Sequence, residues 1–121
     1  MSTKYKSDLK LRIYTFVLSL LRELRSIKTD IISRSMIQQL VRSSTSILAN
    51  FVEGQSSVSR KELAQFTSIS LKSANETKVW LKLLLDLDYL THKRYQSLIS
   101  EVGELSSMLA ASVITLKKSM A

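Results

Sequence analysis

The chain has 121 residues, of which 45% are hydrophobic, only two are glycine, and none is proline or cysteine. This composition allows one domain with an ordinary core, excludes disulfides and thiolate metal sites, and argues against β-rich folds and glycine-rich phosphate loops. The 18 basic and 10 acidic residues give a formal net charge of +8, which indicates an anionic partner, usually nucleic acid, or simply a basic surface that keeps the protein soluble.

Apolar residues with helical spacing predict two helices in the first half of the chain. The first helix is predicted over residues 8–27. The second, over residues 31–53, follows the side-chain oxygens of Thr29 and Asp30, which can cap its first turn. We expect this helix to stop at Gly54, where a left-handed backbone is often required.

The second half of the chain predicts two further helices. The third, over residues 60–87, starts with a capping box in which Ser59 and Glu62 satisfy each other's backbone N–H groups. The fourth, over residues 92–118, contains Gly103. A glycine inside a helix costs about 1 kcal/mol relative to alanine, so we expect local fraying or close packing there.

Four long helices joined by three short loops predict an up-down-up-down antiparallel four-helix bundle, with residues 1–121 as its single domain. No apolar run approaches the ~20 residues that span a bilayer, and residues 1–8 lack the features of a signal peptide. We therefore expect a cytoplasmic protein with no membrane partner.

The first predicted helix carries a second apolar stripe, opposite the one that faces the core. A helix in a monomeric bundle buries only one face, so something else must cover this stripe. We predict an oligomer interface; a membrane surface or another hydrophobic partner is the alternative. The interface residues are Leu11, Tyr14, Leu18 and Leu21.

The expected fold brings basic residues from distant segments to the end of the bundle that holds both chain termini. Eight cations there face Asp8, Glu53 and Glu62, a net charge of +5; the opposite end carries +3 and the middle is neutral. We predict that phosphate groups of nucleic acid contact these cations, with solvated helix ends as the alternative. The predicted contact residues are Lys4, Lys6, Lys10, Arg12, Arg60, Lys61, Lys117 and Lys118.

The sequence contains no arrangement of side chains that is typical of an active site. The single histidine, His92, cannot build an ordinary zinc site, and Asp86 and Asp88 lack a partner acid or metal cluster. We expect Glu76 to be partly buried and to pair with Arg42. We predict no catalytic residue, metal or cofactor, and structural roles for Arg42, Asn50, Glu53 and Glu76.

The central segment resembles a family signature. Residues 39–54, QLVRSSTSILANFVEG, are similar to the QLrrAavSIpaNIaEG segment of a four-helix-bundle family first described as open reading frames in intervening sequences of bacterial large-subunit ribosomal RNA. The helix start at residues 59–63 and the Leu-Asp-Tyr-Leu turn at residues 87–90, for the family's LGYL, extend the resemblance over nearly the whole chain. Leu48 stands where the family commonly has proline, and Asp88 where it has the turn glycine.

This resemblance implies a ring-like homopentamer with no known catalytic activity. It also implies a relation to the accessory variability determinant of diversity-generating retroelements, which works with a reverse transcriptase and nucleic acid. The leading hypothesis is therefore a non-enzymatic, oligomeric accessory protein that binds RNA or DNA, with a reverse transcriptase as a further partner. The alternative is a protein–protein adaptor that docks through the outer apolar face of the first helix, without nucleic acid.

Overall fold

The computed structural model describes residues 3–120 and shows, within them, four α-helices and no strand, as predicted. The helices are α1 (Thr3–Leu24), α2 (Ile31–Gln55), α3 (Arg60–Asp86) and α4 (His92–Met120).

Side-chain hydrogen bonds between the helices show that neighbours run in opposite directions. Ser70 on α3 donates to the carbonyl of Ile47, and Thr77, further along α3, donates to Ser43, which lies earlier on α2. The same reversal holds between α3 and α4 and between α1 and α4. Because α1 packs on α2 and α4 but not on α3, helices α1 and α3 occupy opposite corners of a four-helix bundle.

The core runs along the bundle axis and receives apolar side chains from every helix. Each fully buried leucine or isoleucine stabilises the fold by about 2 kcal/mol relative to an exposed one. The largest buried side chains are Leu9, Ile13, Leu20, Leu40, Ile47, Phe51, Leu81, Leu84, Leu105 and Leu109.

Small hydroxyl residues line the contact between α2 and α3, which is the most extensive contact between two helices of the bundle. The buried hydroxyls of Ser70 and Thr77 are hydrogen-bonded, and Ser73 donates to Ser46 at 2.8 Å. A buried hydroxyl without a partner would cost free energy, so these bonds compensate its loss of water.

The first helix differs from its predicted bounds of 8–27 at both ends. It begins at Thr3, and the half-buried Tyr5 packs against the core, so apolar contact extends the helix past the predicted cap. At the other end, the N–H of Ile27 bonds to the carbonyl of Leu24, a tighter turn that ends the helix. Ile27 fits the apolar pattern because it remains buried beyond the helix.

Both predictions about glycine are wrong. Gly54 lies inside α2 and has no positive φ; a Cβ there would lie 3.2 Å from the Cβ of Phe66, so close packing on α3 explains the glycine. At Gly103, α4 is continuous and a Cβ would meet nothing within 4 Å. Among residues 3–120, the only left-handed backbone belongs to Asp88, with φ 64°.

Helix α4 is more apolar than the sequence analysis allowed. It contains an 18-residue window of mean hydropathy 1.3, so it could cross a membrane by length and composition alone. The window is 39% buried, and its buried face, which includes Val102 and Leu105, belongs to the bundle core. The core helix of a bundle meets the same criterion, so this hydropathy is weak support for a membrane span.

Candidate nucleic-acid interface

Three helix ends form what we call the terminal basic end: the starts of α1 and α3 and the last turns of α4. The guanidinium of Arg60, the first residue of α3, donates to Ser119 at 2.9 Å and so ties α3 to α4. Lys6 and Arg60 line one cleft, and Lys61 and Lys117 line a neighbouring groove. The cations of this end are Lys4, Lys6, Lys10, Arg60, Lys61, Lys117 and Lys118.

None of the four ion pairs in the described part of the chain involves these seven cations. Asp8 and Glu53 are exposed, and Glu62 lies in the first turn of α3, where a carboxylate complements the helix dipole. Seven cations against these three carboxylates leave a formal charge of +4.

The sequence predicts Arg12 at this end, but the structure places it in the middle of the bundle, beside carboxylates of α4. Its Nη2 lies 2.6 Å from Oε1 of Glu101 and 3.1 Å from Oε2 of Glu104, and its Nε donates to Oε2 of Glu101. The hydrogen bonds that Arg12 donates to the Glu101 carboxylate raise the pKa of Arg12 above its ordinary value. The Arg12 charge therefore neutralises α4 carboxylates and fastens α1 to α4.

The opposite end of the bundle has more of its charge paired. Arg94 pairs with Glu23 at 3.3 Å, and Lys82 pairs with Asp86 at 3.1 Å. Both contacts join a cation to a carboxylate of the same end, so they reduce the field that phosphate groups would meet there.

We call the predicted second apolar stripe of the first helix the α1 outer face; it consists of Leu11, Tyr14, Leu18 and Leu21. This face is only partly exposed to solvent. Leu11 is 64% exposed and Tyr14 is 52% exposed, as an unpartnered stripe requires. Leu18 and Leu21 are half-buried, and Leu21 packs against the core. The exposed part of this face is thus its N-terminal half.

A second exposed apolar face, which the sequence analysis missed, lies on α3. It consists of Ile69, Val79 and Leu83 and points away from the core. Lys72 and Glu76 interrupt the stripe, which hid it from a search for apolar periodicity. We call these three residues the α3 outer face.

The predicted structural polar residues are less buried than expected. Glu76 is exposed and makes no ion pair with Arg42, which is also exposed, so that predicted pair is wrong within the described residues. Glu53 is exposed, whereas Asn50 is half-buried and donates from its amide to the Ser46 carbonyl and hydroxyl, both at 2.9 Å.

The comparisons with known proteins agree with the fold. Residues 8–111 match a family described as 23S rRNA-intervening sequence protein. The chain is also similar to a crystal structure of a protein with unknown function from the S23 ribosomal protein family of Bacteroides thetaiotaomicron VPI-5482. The TM-score is 0.74 at 31% identity, over 89% of this chain and 97% of that one. No curated protein matches the chain.

Proposed function

The chain belongs to the 23S rRNA-intervening sequence protein family, and from that premise we propose that it is a non-enzymatic, cytoplasmic accessory protein that binds RNA or DNA. The observation that carries the proposal is the terminal basic end, where seven cations from three helices lie together and none forms an ion pair with a carboxylate of residues 3–120.

Such a surface binds nucleic acid chiefly by displacing counterions from phosphate groups. Side chains on helix ends contact the phosphate backbone without reading base edges, so binding is largely independent of sequence. The ends of α1, α3 and α4 present long, flexible lysine and arginine side chains, which suit this kind of contact.

A binding role fits the polar side chains better than catalysis does. The carboxylates of Glu101 and Glu104 hold Arg12, and that of Asp86 holds Lys82. His92 is exposed at the first residue of α4. These groups serve helix packing and solvation in the proposal, with no catalytic task.

The proposal includes self-association through the two outer faces. Helices α1 and α3 occupy opposite corners, so their exposed apolar faces point in different directions. Arg12 on α1 and Lys78 on α3 both bond to α4 within residues 101–108. Their neighbours Tyr14 and Val79 therefore lie at about the same height in the bundle. The α1 outer face of one copy then covers the α3 outer face of the next, a head-to-tail contact that closes into a ring. Five copies is the number that the family resemblance implies.

A place beside a reverse transcriptase, like that of the retroelement accessory determinant, is the narrower form of this proposal. The basic end and the extra apolar faces suit a protein that joins nucleic acid to an enzyme. The genes that flank this one test the narrower form: a neighbouring reverse-transcriptase gene supports it, and a ribosomal RNA operon supports the intervening-sequence role.

The second candidate is a protein–protein adaptor without nucleic acid. The exposure of Leu11 and Tyr14 favours it, because a different apolar partner would cover the same residues. Fluorescence anisotropy with labelled single-stranded RNA and DNA of unrelated sequences decides between the two. The accessory role predicts binding that weakens steeply with salt, and absence of binding at low salt favours the adaptor.

A further inference from the structure

An open cleft of about 350 Å³ lies at the terminal basic end, between the start of α1, the first turn of α3 and the last turns of α4. Its volume is at the lower end of the roughly 300–1,000 Å³ that small-molecule sites occupy. The lining residues span fewer than two turns of any one helix, so the cleft has room for one nucleotide but not for the length of a strand.

The charge of the cleft suits a phosphate group. Lys6 reaches it from α1 and Arg60 from α3, and none of the described residues that line it carries a carboxylate. Arg60 is held by its hydrogen bond to Ser119, which uses one of the five guanidinium donors and leaves the others for a ligand. Thr115 adds a hydroxyl to the lining.

Most of the remaining lining of the cleft is apolar. Tyr5, Leu63 and Leu116 contribute aromatic and aliphatic surface beside the two cations. A ligand that joins a phosphate to a flat, weakly polar ring matches this division, because the ring would cover apolar surface while the phosphate meets Lys6 and Arg60.

We infer that the cleft binds the phosphomonoester of a nucleotide, with Lys6 and Arg60 contacting the phosphate. A phosphomonoester carries a charge of about −1.5 to −2 at neutral pH, against −1 for an internal phosphodiester, so two cations that line the same cleft favour a strand end over a strand interior. A strand end and a free nucleotide share this chemistry. The inference rests on the proposed function and narrows its ligand to phosphorylated ends.

A second cleft provides a matched control. It lies between α1 and α2 and carries Arg25 and Arg34, and its lining within residues 3–120 also has no carboxylate. Asp30, however, directly follows its residue Thr29 and presents a carboxylate that accepts from Tyr89. The control cleft therefore has two cations, as the first cleft does, but a carboxylate lies beside it.

Calorimetric titration of the full chain with AMP, adenosine and inorganic phosphate tests the cleft without any strand. We expect AMP to bind more tightly than phosphate and adenosine not to bind. Lys6→Gln and Arg60→Gln should each weaken AMP about tenfold, the effect of one lost charge-assisted hydrogen bond, while Arg25→Gln with Arg34→Gln should change nothing. AMP that binds no tighter than phosphate, or equally well to the Lys6 and Arg60 variants, overturns the inference.

A charge at the rim gives a test that leaves both cations in place. Ala111 is exposed and lines the cleft, so Ala111→Glu should repel AMP while Ala111→Gln, of the same size, should not. Equal AMP affinity in these two variants contradicts the inference. Circular dichroism of each variant confirms that the helices are retained.

Single-stranded RNA of one sequence, with a phosphate at the 5′ end, at the 3′ end or at neither, distinguishes the sources. A phosphorylated end should bind about tenfold tighter than the hydroxyl form, and Lys6→Gln with Arg60→Gln should remove this ratio.

Equal binding of all three RNAs together with AMP binding assigns the cleft to free nucleotides. RNA binding without any effect of AMP or of end phosphates overturns the inference but not the proposed function; AMP binding with no RNA binding overturns the proposed function alone.

Discussion

The phenol oxygen of Tyr89 lies 2.7 Å from each carboxylate oxygen of Asp30 and donates its hydrogen to them. Asp30 also caps α2 by accepting from the N–H of Ser33 at 2.9 Å. This pair joins the α1–α2 connection to the α3–α4 turn, two segments 59 residues apart, and so fixes one end of the bundle. The bond from the Ser33 N–H, followed by that from Tyr89, lowers the pKa of Asp30; the bond to Asp30 raises the pKa of Tyr89.

Tyr89→Phe should therefore lower stability in a pH-dependent way. The lowered pKa of Asp30 stabilises the fold at pH values above 3.8, the ordinary pKa of this group. This contribution is lost as pH falls through the folded-state pKa. Thermal unfolding across pH should show a deficit of the variant at neutral pH that shrinks in acid. A constant deficit at every pH would mean that the ring, rather than the hydroxyl–carboxylate bond, is responsible.

The two glycines should respond oppositely to alanine. Gly103→Ala should stabilise the protein by about 1 kcal/mol, because the helix gains propensity and the new methyl group meets open space. Gly54→Ala should destabilise it, since the Cβ would lie 3.2 Å from the rigidly held Cβ of Phe66 and α2 would have to move from α3. Urea unfolding of both variants checks the pair; stabilisation by Gly54→Ala would show that the helices separate easily.

Arg12 and Glu101 should couple energetically, in contrast to Arg42 and Glu76. A double-mutant cycle of Arg12→Met with Glu101→Gln should give about 0.5–1 kcal/mol, the range of a half-exposed pair with good geometry. The cycle of Arg42→Met with Glu76→Gln is the matched control and should give no coupling energy, because both residues are exposed and no ion pair joins them. Equal coupling in the two cycles would contradict the structure.

Helices are predictable from sequence where burial repeats along one segment. Leu9, Leu20 and Leu40 follow the 3.6-residue period and are buried, so the periodicity located the core. Ile27 shows the limit of this reasoning. It is apolar, buried and in phase with the helical period, so the predicted helix extends to it, although local hydrogen bonds end α1 at Leu24.

The missed features depend on how separate helices meet. The pair of Arg12 and Glu101 joins residues 89 positions apart, and only the register of α1 against α4 brings them together. Gly54 owes its place to the approach of α3, which no local pattern encodes. Glu76, two residues beyond the buried Ala74, turns outward because each residue rotates the helix by 100°.

Two variants that each lose one outer face should complement each other. Leu11→Asp removes the α1 outer face and Ile69→Asp the α3 outer face, so each variant alone should be monomeric by light scattering. Mixed together, they retain one intact head-to-tail contact and should form a heterodimer. Val58→Asp, at an apolar position that is 96% exposed, is the control and should not change the assembly.

A face-to-face contact gives a different pattern. If α1 packs on α1 of a second copy, Ile69→Asp assembles normally and mixing restores nothing. That pattern would replace the proposed ring by a two-fold dimer.

The salt dependence of RNA binding tests the central claim, that the terminal basic end contacts nucleic acid. The test variant replaces Arg60, Lys61, Lys117 and Lys118 by glutamine, and the control variant replaces Arg22, Arg25 and Arg34. Each cation that neutralises a phosphate on single-stranded RNA contributes about −0.7 to the slope of log affinity against log salt. We expect the test variant to flatten this slope by about 3 and to weaken unrelated sequences alike, and the control to keep nearly the parent slope. An unchanged slope in the test variant, with the slope lost in the control, would place the contact at the opposite end and contradict the account.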